Sequence, residues 1–233
     1  KLKIFNLQKK KNFAIINKNL EKKFIKKKFL GRLLLPKIKD YRKIKKNIKN
    51  NYLTSNINDE NMSFVYTLSK LLKISEKSFF KAMKSFKGLP HRFEIFLQRG
   101  NTIFINDSKA TSFTAAESAL RSLKNVYWIL GGLPKRKDKL VLSKIKKNII
   151  KCYLIGKNIN FFKKQIKDRI DFSITKNLEN SIIKISKDLE LKTQINKFIL
   201  LSPGAASFDQ FENFEKRGEE FKRLCKKYVR KFI

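Results

Sequence analysis

The run FINDSKATSFTAAESAL, residues 104–120, opens as a strand-like apolar stretch and closes in a helix-like pattern. Its junction carries Asn106, Asp107, Ser108, Lys109 and Thr111. A plain turn needs a glycine, an asparagine or a capping residue. A carboxylate and an ammonium two positions apart, with hydroxyls beside them, offer more. Lys109 can pair with a carboxylate or a phosphate, Thr111 can donate a hydroxyl hydrogen bond, and Asp107 can accept from a ribose hydroxyl or orient a lysine. The plainer alternative is a capped helix with an exposed Asp–Lys pair worth about 0–1 kcal/mol.

Three further stretches carry similar chemistry. In GGLPKRKD, Gly131 and Gly132 permit close backbone approach, and Lys135 can then reach into a cleft; a flexible basic loop is the alternative. SPGAASFDQFENFEKRGEEF sets small residues and Ser207 before a helix whose first N–H groups can hold an anion. Its Phe208, Phe211 and Phe214 are spaced by three; Phe208 and Phe211 read as ordinary core. In GLPHR, His91 and Arg92 sit at a hinge where they can meet a base or a phosphate, or simply form an exposed basic pair. No G-x-x-x-x-G-K-[ST] and no G-x-G-x-x-G occurs, so the chain has an anion- and carboxylate-binding edge without a phosphate cradle of its own.

These residues need a scaffold, and the sequence pattern supplies one. KLKIF, NFAII and GRLLLP read as short strands. Helical spacing predicts helices over about 58–72 and 76–86. Gly88 and Pro90 then end the helical region and mark a boundary, giving domains 1–90 and 91–233. Beyond it strands and helices alternate. TIFIN, VYWIL, IIKCYLIG and KFILLSP read as strands; FTAAESALRSL (with a Thr114–Glu117 capping box), DKLVLSKIKKN and the segments near 159–168, 177–188 and 208–230 read as helices. That order predicts an α/β domain with a mostly parallel sheet. Ligands gather at the C-terminal strand ends of such sheets, so NDSKAT, GGLPK and SPGAAS can form one site on one edge.

Composition narrows the class. The formal charge of +37 is spread along a chain rich in Ile, Asn and Phe, the pattern of an A/T-rich coding sequence, so no specific nucleic acid is expected as partner; a basic nucleic-acid-binding protein is the alternative reading of that charge. No apolar run reaches the length of a membrane span and no secretory signal opens the chain, so a cytoplasmic protein without a membrane partner is expected, and as a monomer. Cys152 and Cys225 read as two reduced thiols, and a single histidine rules out a multi-histidine metal site. The chain starts on Lys1, not Met, and reads as a fragment with sequence missing upstream.

Taken together, GLPHRFE, INDSKATS, GGLPK and LLSPGAASFDQFENFEKRGEEF resemble the D-glutamate-adding branch of the Mur ligases. The resemblance implies a fold: the end of a central ATP-binding α/β domain, with its P-loop upstream, followed by a Rossmann-like C-terminal domain. It implies an activity: ATP and Mg2+ convert the lactoyl-alanine carboxylate of UDP-N-acetylmuramoyl-L-alanine to an acyl phosphate, which the amine of D-glutamate attacks, in peptidoglycan synthesis. By position, Lys109, Thr111, Lys135 and Ser207 would hold D-glutamate, with Phe214 lining its pocket. Asn58, Asn61, His91, Arg92 and Asp107 would surround the nucleotide. Lys1 matches the lysine that the family carbamylates to bind a second metal ion, which makes Lys1 and Lys109 the implied catalytic pair. Two positions depart from the pattern: Ile57 stands where the family has a histidine before Asn58, and Ser112 where it has an asparagine.

Overall fold

A computed structural model describes residues 2–50, 53–189 and 195–232. The chain divides into two compact units, Lys1–Lys87 and Gly88–Ile233.

In the first unit, β1 (Phe13–Ile15) and β2 (Arg32–Leu34) pair in parallel around α1 (Glu21–Lys26), and α2 (Ile38–Lys45), α3 (Asp59–Leu71) and α4 (Glu76–Ser85) follow. KLKIF is not a strand: Leu2–Leu7 forms a 3-10 helix that turns Phe5 onto Phe24 and Phe29. The inward face of α3 is Met62 and Tyr66, with Tyr66 edge-on to Phe79, while Leu68 and Leu72 stay exposed. The buried Asp59 is clasped by Lys45 and Arg42 at 2.6 and 2.8 Å. Burial would raise its carboxyl, but hydrogen bonds from Lys45 and Arg42 outweigh that and hold it below the usual range.

The second unit is an α/β layer structure. β3 (Glu94–Arg99), β4 (Thr102–Asn106), β5 (Val126–Gly131), β6 (Ile149–Ile155), β7 (Phe172–Lys176) and β8 (Lys197–Leu201) form one sheet in the order β3-β4-β8-β5-β6-β7. All pairings are parallel except β3 against β4 at the edge. Helices α5 (Phe113–Arg121), α6 (Ile159–Ile166), α7 (Leu178–Asp188) and α8 (Phe214–Lys227) complete it. Side chains alternate across the sheet. Phe104, Tyr127, Ile129, Ile199 and Leu201 pack with Ile182, Ile185, Phe221 and Leu224 of α7 and α8, while Trp128, Leu130, Cys152 and Leu154, on the alternate positions, are also buried. Burying a large apolar side chain contributes about 1.5–3 kcal/mol, so these two faces carry most of the unit's stability. Both cysteines are buried free thiols. Among the described residues no helix is long and apolar enough to cross a membrane.

Local chemistry explains where the elements depart from the periodicity. Residues 138–148 form only two 3-10 turns, Leu142–Lys144 and Lys146–Asn148. Side chains take the backbone groups a helix would use: Val141 N–H donates to Glu117 and Leu140 N–H to Gln165. Glu117 is thereby turned inward, and Ser112, not Thr114, caps α5 by accepting from Ala115 N–H. α8 starts at Phe214 rather than 208, because an extended Asn213 accepts from Lys216 N–H at 2.7 Å and sets the first turn.

Candidate functional site

The sheet order fixes the site. β4, β8 and β5 are consecutive neighbours, so the loops after them, 107–112, 202–213 and 132–139, emerge side by side at one end. Adjacent strands lie about 4.8 Å apart, so three of them span about 10 Å, the scale of a small charged metabolite. Gly131 N–H donates to Pro203 O, and Leu133 and Ala206 exchange two backbone hydrogen bonds at 2.8 and 3.0 Å, which zips the second and third loops together. Only glycine fits here: at Gly132, with φ +132°, a Cβ would lie 2.3 Å from Ala206 O.

Asp107 leaves β4 with both carboxylate oxygens engaged. Oδ1 accepts from Phe93 N–H at 3.0 Å and Oδ2 from the Ser202 hydroxyl at 2.7 Å. Burial pushes its carboxyl up to about 6, partly offset by those hydrogen bonds and by the nearby Arg92 charge. The next turn carries the half-buried Lys109, whose Nζ stands 3.7 Å from the centre of the Phe214 ring, a cation–π contact worth about 0.5–2 kcal/mol. The other edge of Phe214 meets the His91 imidazole at 6.0 Å. Lys109, Phe214 and His91 are thus one contiguous group.

His91 is buried, and its backbone, like that of Phe93, is left-handed, with φ of 61° and 48°. Carboxylates hold this strained turn: Glu94 Oε2 accepts from His91 N–H and from the Asn106 amide, and Glu94 Oε1 accepts from Lys222 at 2.6 Å. Burial works against the Glu94 charge, but Lys222 and the His91 amide hold its carboxyl below the usual range. Between the two left-handed residues Arg92 faces solvent.

On the β8 side, Ser207 is buried and its hydroxyl has no partner among the described residues. Lys135 is exposed on the β5 loop, and Asp138 of that loop accepts from Phe113 N–H at 2.9 Å, tying the loop to the start of α5. Thr111 is half-buried just before that helix. Asn58 and Asn61 belong to the first unit, at the N-terminal end of α3, with Asn61 exposed. Lys1 lies outside the described residues.

Two contributors escape sequence reasoning, Glu94 and Arg217, and Asn106 stands at the junction with no role read for it. Arg217 is 1% exposed and sits beneath the three loops. Burial lowers its guanidinium to about 10, partly offset by the charge of Asp209, so it stays protonated at neutral pH. A signal for it exists. Phe214, Arg217, Phe221 and Leu224 follow the apolar spacing of α8, and an arginine in that stripe must be buried. Among the described residues no three His, Cys, Asp or Glu side chains gather as a metal cage would require.

The arrangement suits capture of a small anion with more than one acid group. It presents ammonium and hydroxyl donors from separate loops, beside an aromatic wall. No family model matches the chain. Curated relatives do. The UDP-N-acetylmuramoylalanine–D-glutamate ligase of Wolbachia sp. subsp. Brugia malayi is 39% identical over 175 residues, 75% of this chain and 34% of its own length. That of Rickettsia felis is 37% identical over 183 residues, 77% of this chain and 40% of its own. Among solved structures, MurF from Acinetobacter baumannii superposes on 72% of this chain and 38% of its own, at 11% identity and a TM-score of 0.49. The chain therefore spans between a third and two fifths of the length of these curated relatives.

Proposed function

We propose, for a chain that is a relative of the UDP-N-acetylmuramoylalanine–D-glutamate ligases, that it supplies the amino-acid-binding part of an ATP-dependent ligase joining D-glutamate to UDP-N-acetylmuramoyl-L-alanine in peptidoglycan synthesis. The observation that carries this reading is the convergence of Lys109, Ser207 and the Lys135 loop on three neighbouring strands. D-Glutamate is a dicarboxylate with one reacting amine. Lys109 and Lys135 offer it two ammonium groups and Thr111 and Ser207 two hydroxyls, charge-assisted bonds that fix both carboxylates and leave the amine free. Phe214 covers the hydrocarbon stem and holds Lys109 in place. The amine then attacks the acyl phosphate of the muramoyl-alanine substrate, forming the amide as phosphate leaves. Holding the two reactants together is the larger part of what such a site contributes.

The nucleotide side of the reading assigns adenine contacts to Asn58 and Asn61, and the surroundings of the ribose and phosphates to His91, Arg92 and Asp107. With both oxygens of Asp107 occupied and His91 packed inside, these two shape the turn that presents Arg92. Among the described residues no cluster of three His, Cys, Asp or Glu side chains fits Mg2+, and the role proposed for this chain is amino-acid capture. For Lys1 the proposed role is a carbamylated metal ligand. A cytoplasmic monomer is the accompanying proposal.

The test uses the protein that carries this chain. Phosphate release from ATP should require both D-glutamate and UDP-N-acetylmuramoyl-L-alanine. Lys135→Ala should raise the KM for D-glutamate about tenfold to a hundredfold, the value of one charged hydrogen bond, and spare the KM for ATP. Turnover that ignores D-glutamate would refute the proposal.

A further inference from the structure

We propose that Arg217 is a positioning residue that locks the β4 loop, the β8 loop and the start of α8 together, and so fixes the spacing between the Lys109 ammonium and the Ser207 hydroxyl. The inference rests on the D-glutamate reading above.

The bonding pattern is that of a clamp. Arg217 Nε donates to Ser108 Oγ at 3.0 Å, and Nη2 donates to Ser108 O at 2.8 Å and to Ala205 O at 3.0 Å. Ser108 Oγ in turn donates to Phe214 O at 2.8 Å. Ser108 precedes Lys109, Ala205 lies two residues before Ser207, and Phe214 is the aromatic wall. Every atom the guanidinium holds therefore lies within two residues of a group assigned to the amino acid.

The chemistry is costly for mere stability. Arg217 stands where the α8 pattern calls for an apolar residue, and its hydrogen-bond acceptors are two carbonyls and a hydroxyl, with no carboxylate among them. Taking a cation out of water on such terms carries a desolvation penalty that a leucine would not. What a leucine cannot do is reach two loops at once in fixed directions. The planar guanidinium does so with one rigid group, and the single ammonium of lysine lacks that fork. The third loop packs against the same group without a hydrogen bond. Nη1 has no partner among the described residues and faces Gly132, where a Cβ would stand 3.2 Å from it.

The experiment compares Arg217→Lys and Ser108→Ala with the wild type in the protein that carries this chain. It reads the KM for D-glutamate, the KM for ATP, thermal unfolding, and backbone amide exchange. Arg217→Lys should raise the KM for D-glutamate on the order of a hundredfold, as displacement of a site by about 1 Å does, and leave the KM for ATP unchanged. Exchange should accelerate at 107–111 and 203–207 together, while β5 and β6 stay protected. Should Arg217→Lys fail to fold, Ser108→Ala must show the same pattern at smaller size. Wild-type kinetics and wild-type exchange in Ser108→Ala or Arg217→Lys would overturn the proposal, as would a loss shared equally by both substrates with exchange raised throughout the unit. If the wild type proves indifferent to D-glutamate, the functional reading fails and exchange alone decides. Joint loosening of the two loops supports the clamp, and independent or absent loosening overturns it.

Discussion

Asp107→Asn should stabilise the Gly88–Ile233 unit at neutral pH, an unusual outcome for a change in a hydrogen-bonded buried acid. The Asp107 carboxyl is pushed by burial from 3.8 up to about 6. Ionising it in the fold costs about 3 kcal/mol, at about 1.4 kcal/mol per pKa unit. Its folded pKa lies above the unfolded one. The stability it carries is therefore complete below about pH 4 and lost as pH rises through about 6. Asparagine keeps both contacts: its oxygen accepts from Phe93 N–H, and its amide donates to a Ser202 hydroxyl that turns to accept. The assay is urea unfolding across the pH range, followed by fluorescence. The single tryptophan, Trp128, is buried in β5 and donates to Ser202 O at 2.7 Å, so the signal reports this unit and this neighbourhood. Glu94 and Asp188, with depressed pKa values, lose stability as pH falls, so the wild-type curve alone mixes opposite slopes. The difference between variant and wild type isolates Asp107. It should be near zero at about pH 4 and favour asparagine by about 3 kcal/mol at about pH 8. A difference that does not change with pH, or one that favours the wild type more as pH rises, would refute the reasoning.

Gly218→Ala should destabilise by about 1–3 kcal/mol in the same assay, although alanine normally gains about 1 kcal/mol over glycine inside a helix. The reason is space: the new Cβ would lie 2.2 Å from His91 Nδ1 and 3.0 Å from the Asn106 amide. Asn213→Ala should cost about 1 kcal/mol by removing the cap of α8, with a helical signal that loses its first turn in circular dichroism.

Much of this was readable in the residues, for identifiable reasons. VYWIL and KFILL are buried on both faces, and continuous apolar runs between turn residues announce such strands. Their glycine, proline and serine ends announced the loops. β3 was missed because an edge strand is half-exposed and its pattern is interrupted by a bulge between Ile95 and Leu97. The helix expected over 138–148 fails because Glu117 and Gln165, distant in sequence, take its amides. Periodicity sees only neighbours along the chain. The same limit hid Glu94 and Arg217, whose work is to join segments about a hundred residues apart. The placement of Lys109 and Ser207 on neighbouring loops was legible because those loops follow strands directly. A pocket role for Phe214, the ring beside Lys109, came only from the resemblance, since a phenylalanine at that spacing also reads as core.

The placement of β8 has a consequence for biogenesis. This strand is the last to be synthesised, yet it lies in the middle of the sheet, pairing with Thr102–Asn106 on one side and Val126–Ile129 on the other. Until Lys197–Leu201 leaves the ribosome, β4 and β5 each keep a bare edge of unpaired amides and carbonyls. These are surfaces that a nascent chain must keep from pairing with strangers. Insertion closes one loop of about 95 residues to β4 and one of about 70 to β5, a slow, non-local step that local helix formation cannot hurry. The sheet cannot zip up from one end. It must hold a slot open, and the binding edge comes into being only when the final strand fills it. A growing chain therefore has no half-formed site to occupy with ligand, and ligand cannot act as its early folding template.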